Sequence, residues 1–220
     1  MKAAAFFDMD GTIVSTNLVH SFLFLAMNEP SIPGSVVKTL TGIAKIPAFA
    51  AVDRVSRTAF NEMLFSSLKG VYFDNLLELA DEHFEKVLEP AIFPGARELV
   101  DSGKKRGLRQ VIVSGSLDFL VAPLARHLGI EDAITNRLEL DAGVATGRLR
   151  KPIVAAAAKA RFIQEYARDH DLDLLESYAF SDSYSDYAML AVVGRPAAVN
   201  PDRRLRRAAK EMRWPVMELR

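Results

Sequence analysis

The sequence predicts an α/β protein, in which helices cover a parallel sheet and a helical segment is inserted after the first strand. Short apolar runs alternate with amphipathic helical patterns, which is typical of parallel strands buried on both faces. Residues 15–90, between the first two runs, show helical periodicity and no convincing strand. The candidate helices within them are residues 21–27, 36–46, 52–68 and 75–88.

Four apolar runs are predicted as strands, and each is followed by small or polar residues. They are residues 3–7, 110–113, 178–180 and 197–199. The helices predicted in the same part of the chain are residues 96–106, 117–128, 153–169 and 186–193. Alternating apolar residues predict a β-hairpin over 136–150 and an edge strand over 214–216. The core domain is therefore predicted at residues 1–14 and 91–220, and the inserted domain at residues 15–90.

Composition and charge exclude several classes of function. Lys plus Arg and Asp plus Glu both number 28, so no net charge draws the chain to nucleic acid. The chain has no cysteine, which excludes thiol catalysis and cysteine-bound metals. No apolar stretch approaches the ~18 residues that span a bilayer. We therefore expect a cytoplasmic protein with no nucleic-acid partner and no stable membrane insertion.

Polar side chains that could perform chemistry follow three of the predicted strands. Asp8 and Asp10 follow the first strand, Ser114 the second, and Asp182 and Asp186 the third. In an open parallel sheet the carboxyl ends of the strands border one crevice, so we expect these groups to lie together. Two carboxylates from separate strands, Asp8 and Asp182, are oxygen ligands of the kind that Mg²⁺ prefers. The sequence therefore predicts a Mg²⁺ site at this edge of the sheet.

The same residue types suit phosphoryl transfer. A carboxylate such as Asp8 can attack phosphorus and form an aspartyl-phosphate. Asp10 lies two residues further on, so its side chain can share one side of the chain and carry a proton. Ser114 and the backbone N–H groups near Gly115 can donate to phosphoryl oxygens, while a lysine neutralises their charge.

Four segments resemble the motifs of the haloacid dehalogenase-like hydrolases, in the same order and over essentially the whole chain. They are Phe7-Asp8-Met9-Asp10-Gly11-Thr12, Val113-Ser114-Gly115-Ser116, the region of Lys159, and Ser181-Asp182-Ser183-Tyr184-Ser185-Asp186. Residues 15–90 resemble the helical C1 cap of that family, and the overall pattern is similar to its phosphoserine-phosphatase-like branch. The resemblance implies a Rossmann-like core and a Mg²⁺-dependent phosphatase. Ser181 stands where the family commonly has glycine.

For the metal and the reacting groups, the resemblance implies specific roles. Asp8 would be the nucleophile and a Mg²⁺ ligand. Asp10 would protonate the leaving group, then activate water, and would bind Mg²⁺ through its backbone carbonyl. Asp182 would complete the protein ligands of Mg²⁺, and Asp186 would support the ion from a second layer or through water.

For the phosphoryl group, the resemblance implies that Ser114, Gly115 and Lys159 hold it. The phosphate-binding lysine could instead be Lys151, because it lies only eight residues before Lys159. The family's cap closes over the site, excludes bulk water and selects the substrate.

The substrate implied is a small phosphomonoester. Family members specific for phosphoserine carry a glutamate shortly after the first motif, whereas this chain has no acidic residue between Asp10 and Glu29. Phosphoserine itself is therefore disfavoured. The alternatives are a lipid-derived or phosphocholine-like substrate, a phosphomutase, and a non-enzymatic phospho-ligand binder.

Four cap residues are candidates for contacts with the substrate. Asn17 could bind a hydroxyl or amide, His20 could face the substrate, and Arg54 and Arg57 could hold a carboxylate or second phosphate. Residues 30–52 contain no acidic residue and many apolar ones. We interpret this segment either as packed inside the cap or as a surface for a lipid-like substrate, a membrane interface or a second subunit. The last case would give a homodimer through the cap.

Overall fold

The computed structural model describes residues 2–34 and 57–219, and a parallel sheet lies at its centre. The strands in this part of the chain are β1 (Ala4–Phe7), β2 (Arg109–Leu117), β3 (Asp132–Asn136), β4 (Leu138–Asp141), β5 (Val144–Leu149), β6 (Tyr178–Ser181), β7 (Arg195–Val199) and β8 (Val216–Met217). Six of them form one parallel sheet in the order β3-β2-β1-β6-β7-β8. The strands β4 and β5 form a separate antiparallel hairpin. The predicted fold class is confirmed.

Helices connect the strands and also build the insertion after β1. They are α1 (Leu18–Asn28), α2 (Arg57–Ser66), α3 (Phe73–His83), α4 (Ala96–Lys105), α5 (Asp118–Leu128), α6 (Ala158–Asp169), α7 (Tyr187–Ala191) and α8 (Arg203–Met212), with shorter helical turns at Phe84–Leu88, Glu89–Ala91 and Tyr184–Asp186. Local sequence explains their ends. Gly129, with φ of +62°, ends α5 in the left-handed conformation. The Asp202 side chain accepts from the N–H of Leu205 and caps the start of α8.

Apolar clusters cover both faces of the sheet. Successive residues of β1 point to opposite faces, so Phe7 belongs to one cluster and Phe6 to the other. On the Phe7 side, α4 contributes Val100 to the cluster. On the Phe6 side, α6 contributes Ile163 and α8 contributes Leu205. This packing fixes the strands, and with them the positions of the residues that follow each strand.

The chain leaves the core and returns to it at one place. Val14 forms an isolated bridge with Ile92, and the N–H of Ser15 donates to the carbonyl of Ala91 at 2.8 Å. Between these points, α1, α2 and α3 share a third apolar cluster with the β4–β5 hairpin. The crossing lies at the boundaries predicted for the inserted domain, 15–90, which stay a prediction.

Several elements differ from the sequence predictions. The strand β3 was not predicted, because Ile134 is its only large apolar residue. The helix predicted from residue 153 begins at Ala158, because Ala156 has a φ of +44°, which a right-handed helix cannot contain. The strand β2 extends beyond residue 113 to Leu117. The helix α1 starts at Leu18 rather than residue 21, because Asn17 caps it.

Parts of the predicted insertion lie outside the described residues. The helix predicted at 36–46, and with it most of the apolar segment 30–52, falls there. Within 2–34 and 57–219, no helix is both long enough and apolar enough to traverse a bilayer. The cytoplasmic location and the homodimer through the cap stay predictions.

Candidate active site

The predicted site residues lie at the carboxyl ends of neighbouring strands. Asp8 follows β1, and its N–H donates to the carbonyl of Phe180 in β6 at 2.9 Å. Asp182 directly follows β6, and Ser114 lies in β2, on the other side of β1. The strand order therefore brings side chains from distant parts of the sequence to one edge of the sheet.

A buried ion cluster joins Lys159 to two of these carboxylates. The Nζ of Lys159 donates to Asp8 Oδ1 and to Asp186 Oδ2, each at 2.6 Å. The Lys159 side chain is 3% exposed, and that of Asp186 is fully buried. Burial by itself lowers the pKa of Lys159, but the charges of Asp186 and Asp8 outweigh it, so this pKa lies above its ordinary value. Lys159 is therefore a fixed cation beside the candidate nucleophile.

The cluster distinguishes the two candidate lysines. Lys159 lies in the first turn of α6 and contacts Asp8, whereas the Lys151 side chain is 78% exposed and pairs at 3.8 Å with Glu62 of α2. Ser181 also takes part, because its hydroxyl donates to Asp186 Oδ2 at 3.0 Å. The serine found where the family commonly has glycine therefore helps to hold Asp186.

The loop after β1 is a tight turn that carries Asp10. The N–H of Gly11 donates to the carbonyl of Val14 at 2.7 Å, and the N–H of Ile13 donates to that of Met9 at 2.9 Å. These bonds close the turn and place the half-buried Asp10 two residues beyond Asp8. The position fits the predicted role of Asp10 in proton transfer.

Hard oxygen ligands meet where this loop contacts the loop after β6. Gly11 has a φ of +80°, and a Cβ at this position would overlap the carboxylate of Asp182. The backbone after β1 thus lies directly against that carboxylate, and only glycine leaves room for it. Mg²⁺ commonly takes one or two carboxylates together with waters and substrate oxygens. Asp8, Asp182 and the Asp10 carbonyl fit this ligand type.

Side chains alone do not complete a metal site here. Within the part of the chain that the structure describes, no three His, Cys, Asp or Glu side chains are grouped to hold a metal ion. A Mg²⁺ ion at this edge would therefore also need main-chain, water or substrate oxygens, as Mg²⁺ sites that bind phosphate esters usually do.

Ser114 and Gly115 lie in an irregular stretch of β2. Val113 pairs with Ile134 of β3 whereas Leu117 pairs with Asn136, so three residues of β2 oppose a single residue of β3. The fully buried Ser114 Oγ accepts from the N–H of Ser116 at 3.0 Å. This bond uses an acceptor site of the hydroxyl and leaves its proton available to a phosphoryl oxygen.

Two residues without a predicted role hold these loops. The backbone N–H of Asp202 donates to the carbonyl of Asp182 at 2.8 Å, and its Oδ2 accepts from the N–H of Tyr184 at 2.9 Å. Asn136 Nδ2 donates to the carbonyl of Gly115 at 2.8 Å. A polar residue that ends a strand is the signal that would have found Asn136, but β3 itself was not predicted.

Two of the four candidate cap residues are engaged at the start of α1. Asn17 Oδ1 accepts from the N–H of Val19 at 3.1 Å, and His20 Nδ1 accepts from the N–H of Asn17 at 3.3 Å. This reciprocal capping box stabilises the helix end. Arg54 and the side chain of Arg57 lie outside the described residues. Contacts of all four with a substrate stay predictions.

A cavity of about 720 Å³ lies elsewhere, on the face of the sheet where β6 and β7 begin. Tyr178, Arg195 and Trp214 help to line it, and none of the predicted site residues does. Its lining contains no carboxylate, so it cannot supply the ligands that Mg²⁺ requires. The cluster at the strand ends is therefore the candidate active site.

Comparison with known proteins shows the family to which the chain belongs. The family model for haloacid dehalogenase-like hydrolase matches residues 5–191. The chain therefore belongs to the haloacid dehalogenase-like hydrolase family. Phosphoserine phosphatase SerB1 of Mycobacterium tuberculosis (strain ATCC 25618 / H37Rv) is 31% identical over 221 residues, which span 100% of this chain and 72% of that protein.

Solved structures agree with the fold. The crystal structure of a protein with unknown function from Bordetella pertussis Tohama I has a TM-score of 0.83 at 23% identity, covering 100% of both chains. A phospho-aspartyl intermediate analogue of phosphoserine phosphatase has a TM-score of 0.70 at 20% identity, covering 100% of this chain and 94% of that one. The predicted family, its phosphoserine-phosphatase-like branch and the enzyme class, a phosphatase, are confirmed.

Proposed function

We propose that this phosphatase hydrolyses a small phosphomonoester through an aspartyl-phosphate on Asp8, with Mg²⁺ as its cofactor. The observation that carries the proposal is the 2.6 Å contact between Lys159 Nζ and Asp8 Oδ1, buried at the strand ends. A fixed ammonium group beside a carboxylate nucleophile can neutralise the phosphoryl oxygens that approach the carboxylate. The other groups needed for transfer follow the adjacent strands.

Asp8 and Asp10 carry the two chemical steps. In the first, an Asp8 carboxylate oxygen attacks phosphorus, the bond from phosphorus to the ester oxygen breaks, and Asp10 donates a proton to that oxygen. In the second, Asp10 takes a proton from water while the water oxygen attacks phosphorus. This step releases inorganic phosphate and restores the carboxylate of Asp8.

Four further groups hold the phosphoryl group or the lysine. The Ser114 hydroxyl and the backbone N–H groups near Gly115 donate to phosphoryl oxygens. Lys159 balances the charge on those oxygens, and Asp186 keeps its ammonium group in place. Bound Mg²⁺ would add charge neutralisation and orient the ester. Asp8, Asp182 and the Asp10 carbonyl would hold the ion.

We propose a substrate other than phosphoserine, although the relative SerB1 is named for phosphoserine. No acidic residue lies between Asp10 and Glu29, so this segment offers no carboxylate to a substrate amine. Glu29 itself is buried and accepts from the N–H of Ser31 at 3.0 Å. The Asn17 side chain is bonded to the backbone of α1.

The test is phosphate release from a panel of esters, with Mg²⁺ and with EDTA, for the wild type and Asp8→Asn. The panel contains phosphoserine, sugar phosphates, glycerol phosphates, phosphocholine, lysophosphatidic acid and nucleoside monophosphates. We expect Mg²⁺-dependent release by the wild type and a loss of at least about 10³-fold in Asp8→Asn, because the nucleophile is removed. The matched control is Asp141→Asn, an exposed carboxylate of the hairpin.

The preferred ester then decides among the remaining alternatives. Preference for lysophosphatidic acid or phosphocholine would indicate a lipid-derived or phosphocholine-like substrate. Interconversion of phosphate positions without release would indicate a phosphomutase, and binding without turnover would indicate a phospho-ligand binder. Near-wild-type release by Asp8→Asn would overturn the nucleophile assignment.

A further inference from the structure

Asn136 is a buried amide that bonds to two separate backbone segments of the site. It ends β3, and only 2% of its surface is exposed. Its Nδ2 donates to the carbonyl of Gly115 at 2.8 Å and to that of Val154 at 3.1 Å. Its Oδ1 accepts from the N–H of Val154 at 2.8 Å. Donor and acceptor are thus both used, which leaves the buried amide satisfied.

The bond to Gly115 fixes the direction of the next N–H group. A trans peptide unit is planar, and its C=O and N–H point in opposite directions. Because Asn136 holds the carbonyl of Gly115, the N–H of Ser116 in the same unit points away from Asn136. That N–H donates to Ser114 Oγ at 3.0 Å. A continuous chain of hydrogen bonds therefore runs from Asn136 to the hydroxyl of Ser114.

The bonds to Val154 give the amide a fixed support. Both polar groups of the Val154 backbone pair with the amide, so Asn136 cannot rotate about its side chain without losing them. Val154 precedes α6, the helix that carries Lys159 in its first turn. One side chain thus links the Ser114 loop to the segment that leads to the lysine of the ion cluster.

We infer that Asn136 is a positioning residue that orients the Ser114 hydroxyl toward the phosphoryl group, through the Gly115–Ser116 peptide. The inference rests on the proposed function, in which Ser114 holds a phosphoryl oxygen. With the Gly115 carbonyl held, Ser114 Oγ accepts from Ser116 and keeps its proton for the substrate. Without Asn136 the carbonyl of Gly115 loses its shorter hydrogen bond and the peptide can rotate, which takes the N–H of Ser116 away from Ser114.

The cap contributes a second, longer contact to the same carbonyl. Asn61 of α2 is buried, and its Nδ2 lies 3.5 Å from the carbonyl oxygen of Gly115. At that distance the interaction is at the limit of a hydrogen bond. The core residue Asn136 therefore dominates the position of the peptide.

The test is a double-mutant cycle with Ser114→Ala, with kcat and KM measured separately on the best ester of the panel. We expect Asn136→Ala to lower kcat/KM about tenfold in the wild-type background. In the Ser114→Ala background the same change should cost less than about twofold, because the group through which Asn136 acts is gone. Asn136→Ala should also weaken inhibition by orthovanadate, an analogue of the phosphoryl group in transfer, about tenfold.

Two further variants separate positioning from packing. Asn136→Asp keeps the size of the side chain and the acceptor for Val154 but places a carboxylate beside the Gly115 carbonyl. It should lose as much kcat/KM as Asn136→Ala, and it replaces that variant in the cycle if Asn136→Ala does not fold. The control is Gln110→Ala, which removes a buried amide from the opposite end of β2. It should lower the melting temperature and leave kcat and KM within about twofold.

The outcomes separate the inference from the proposed function. Equal losses on removing Asn136 in both backgrounds, or a matching loss in Gln110→Ala, would overturn the inference alone. Absence of phosphate release by the wild type, or full activity in Asp8→Asn, would overturn the proposed function and the inference with it.

Discussion

The core site is built around an ion cluster, whereas the described part of the predicted cap is built around an apolar cluster. At the strand ends, Lys159 and Ser181 are buried, and both donate to the buried Asp186. In the cap, an apolar cluster surrounds few polar groups. Two of them, the fully buried His83 and Ser21, have side-chain atoms without a hydrogen-bond partner among the described residues.

This difference shows in which region of the molecule residue type indicates function. A buried lysine between two carboxylates needs compensation that packing cannot provide, so its presence indicates chemistry. The described cap consists of helices around an apolar cluster, and its polar residues Asn17 and His20 stabilise a helix end. The residue types at the core site therefore indicate the kind of reaction. Those of the described cap do not indicate which substrate is bound.

The largest effect should follow removal of the core cation. In Lys159→Met, Asp8 and Asp186 lose their shared counterion. We expect turnover to fall about 10³-fold or more and the free energy of unfolding to fall by about 3–5 kcal/mol. Initial rates with saturating ester and urea unfolding curves measure the two effects.

Lys151→Met is the matched control for that change. Lys151 is exposed and only loosely paired with Glu62, so both turnover and stability should stay close to wild type. Similar losses of turnover and stability in the two variants would show that the buried cluster is no more important than a surface ion pair.

A smaller effect should follow a change to the Gly11 backbone. In Gly11→Ala the new Cβ displaces the Asp182 carboxylate, and the φ of +80° adds strain of about 1–2 kcal/mol. We expect turnover to fall about 10²-fold and the Mg²⁺ concentration for half-maximal rate to rise, because Asp182, the proposed Mg²⁺ ligand, is displaced. A Mg²⁺ titration of initial rates measures both.

Gly143→Ala separates strain from displacement. Gly143 has a φ of +81°, and nothing lies within 4 Å of a Cβ built there. This variant should carry the strain alone and retain its Mg²⁺ dependence. If it matched Gly11→Ala in activity, the contact between Gly11 and Asp182 would have no special role.

The core of the fold and the site could be predicted because the topology permits few arrangements. The predicted apolar strands all end at one edge of a parallel sheet. Three of them are followed by the candidate site residues Asp8, Ser114 and Asp182. Asn136 escaped prediction because its strand contains a single large apolar residue and the bulge in β2 has no sequence signature. The predicted start of α6 was wrong because Ala156 has a φ of +44°, which the helix propensity of an alanine-rich segment does not indicate.

In the cap, His83, whose ring nitrogens have no hydrogen bond to any described residue, predicts a pH-dependent loss of stability. Burial lowers its pKa to about 4, below the ordinary value of about 6.5. Between these values the unfolded chain binds a proton that the folded chain does not, so the free energy of unfolding falls as the pH falls. The loss amounts to about 3 kcal/mol near pH 4.

His83→Leu should remove this dependence. It replaces two unsatisfied nitrogens by an apolar side chain, so at pH 7.5 the variant should be at least as stable as wild type. Urea unfolding of both proteins from pH 7.5 to 4.5 gives the difference between their free energies of unfolding. The contributions of the carboxylates, which both proteins share, cancel in this difference. A constant difference across this range would show that the pKa of His83 is the same in the folded and the unfolded chain, which would contradict the prediction.

The smallest effect concerns Asn17, where the cap's structural and functional roles can be separated. Asn17→Ala removes the helix cap and should lower the free energy of unfolding by about 1 kcal/mol, whereas Asn17→Asp keeps an oxygen acceptor and should not. If residue 17 also faces the substrate, a carboxylate there should pair with an amine. We therefore expect Asn17→Asp to raise kcat/KM for phosphoserine relative to glycerol phosphate by about threefold. An unchanged ratio in a protein of unchanged stability would leave Asn17 a helix cap only, and specificity would then reside elsewhere in the cap.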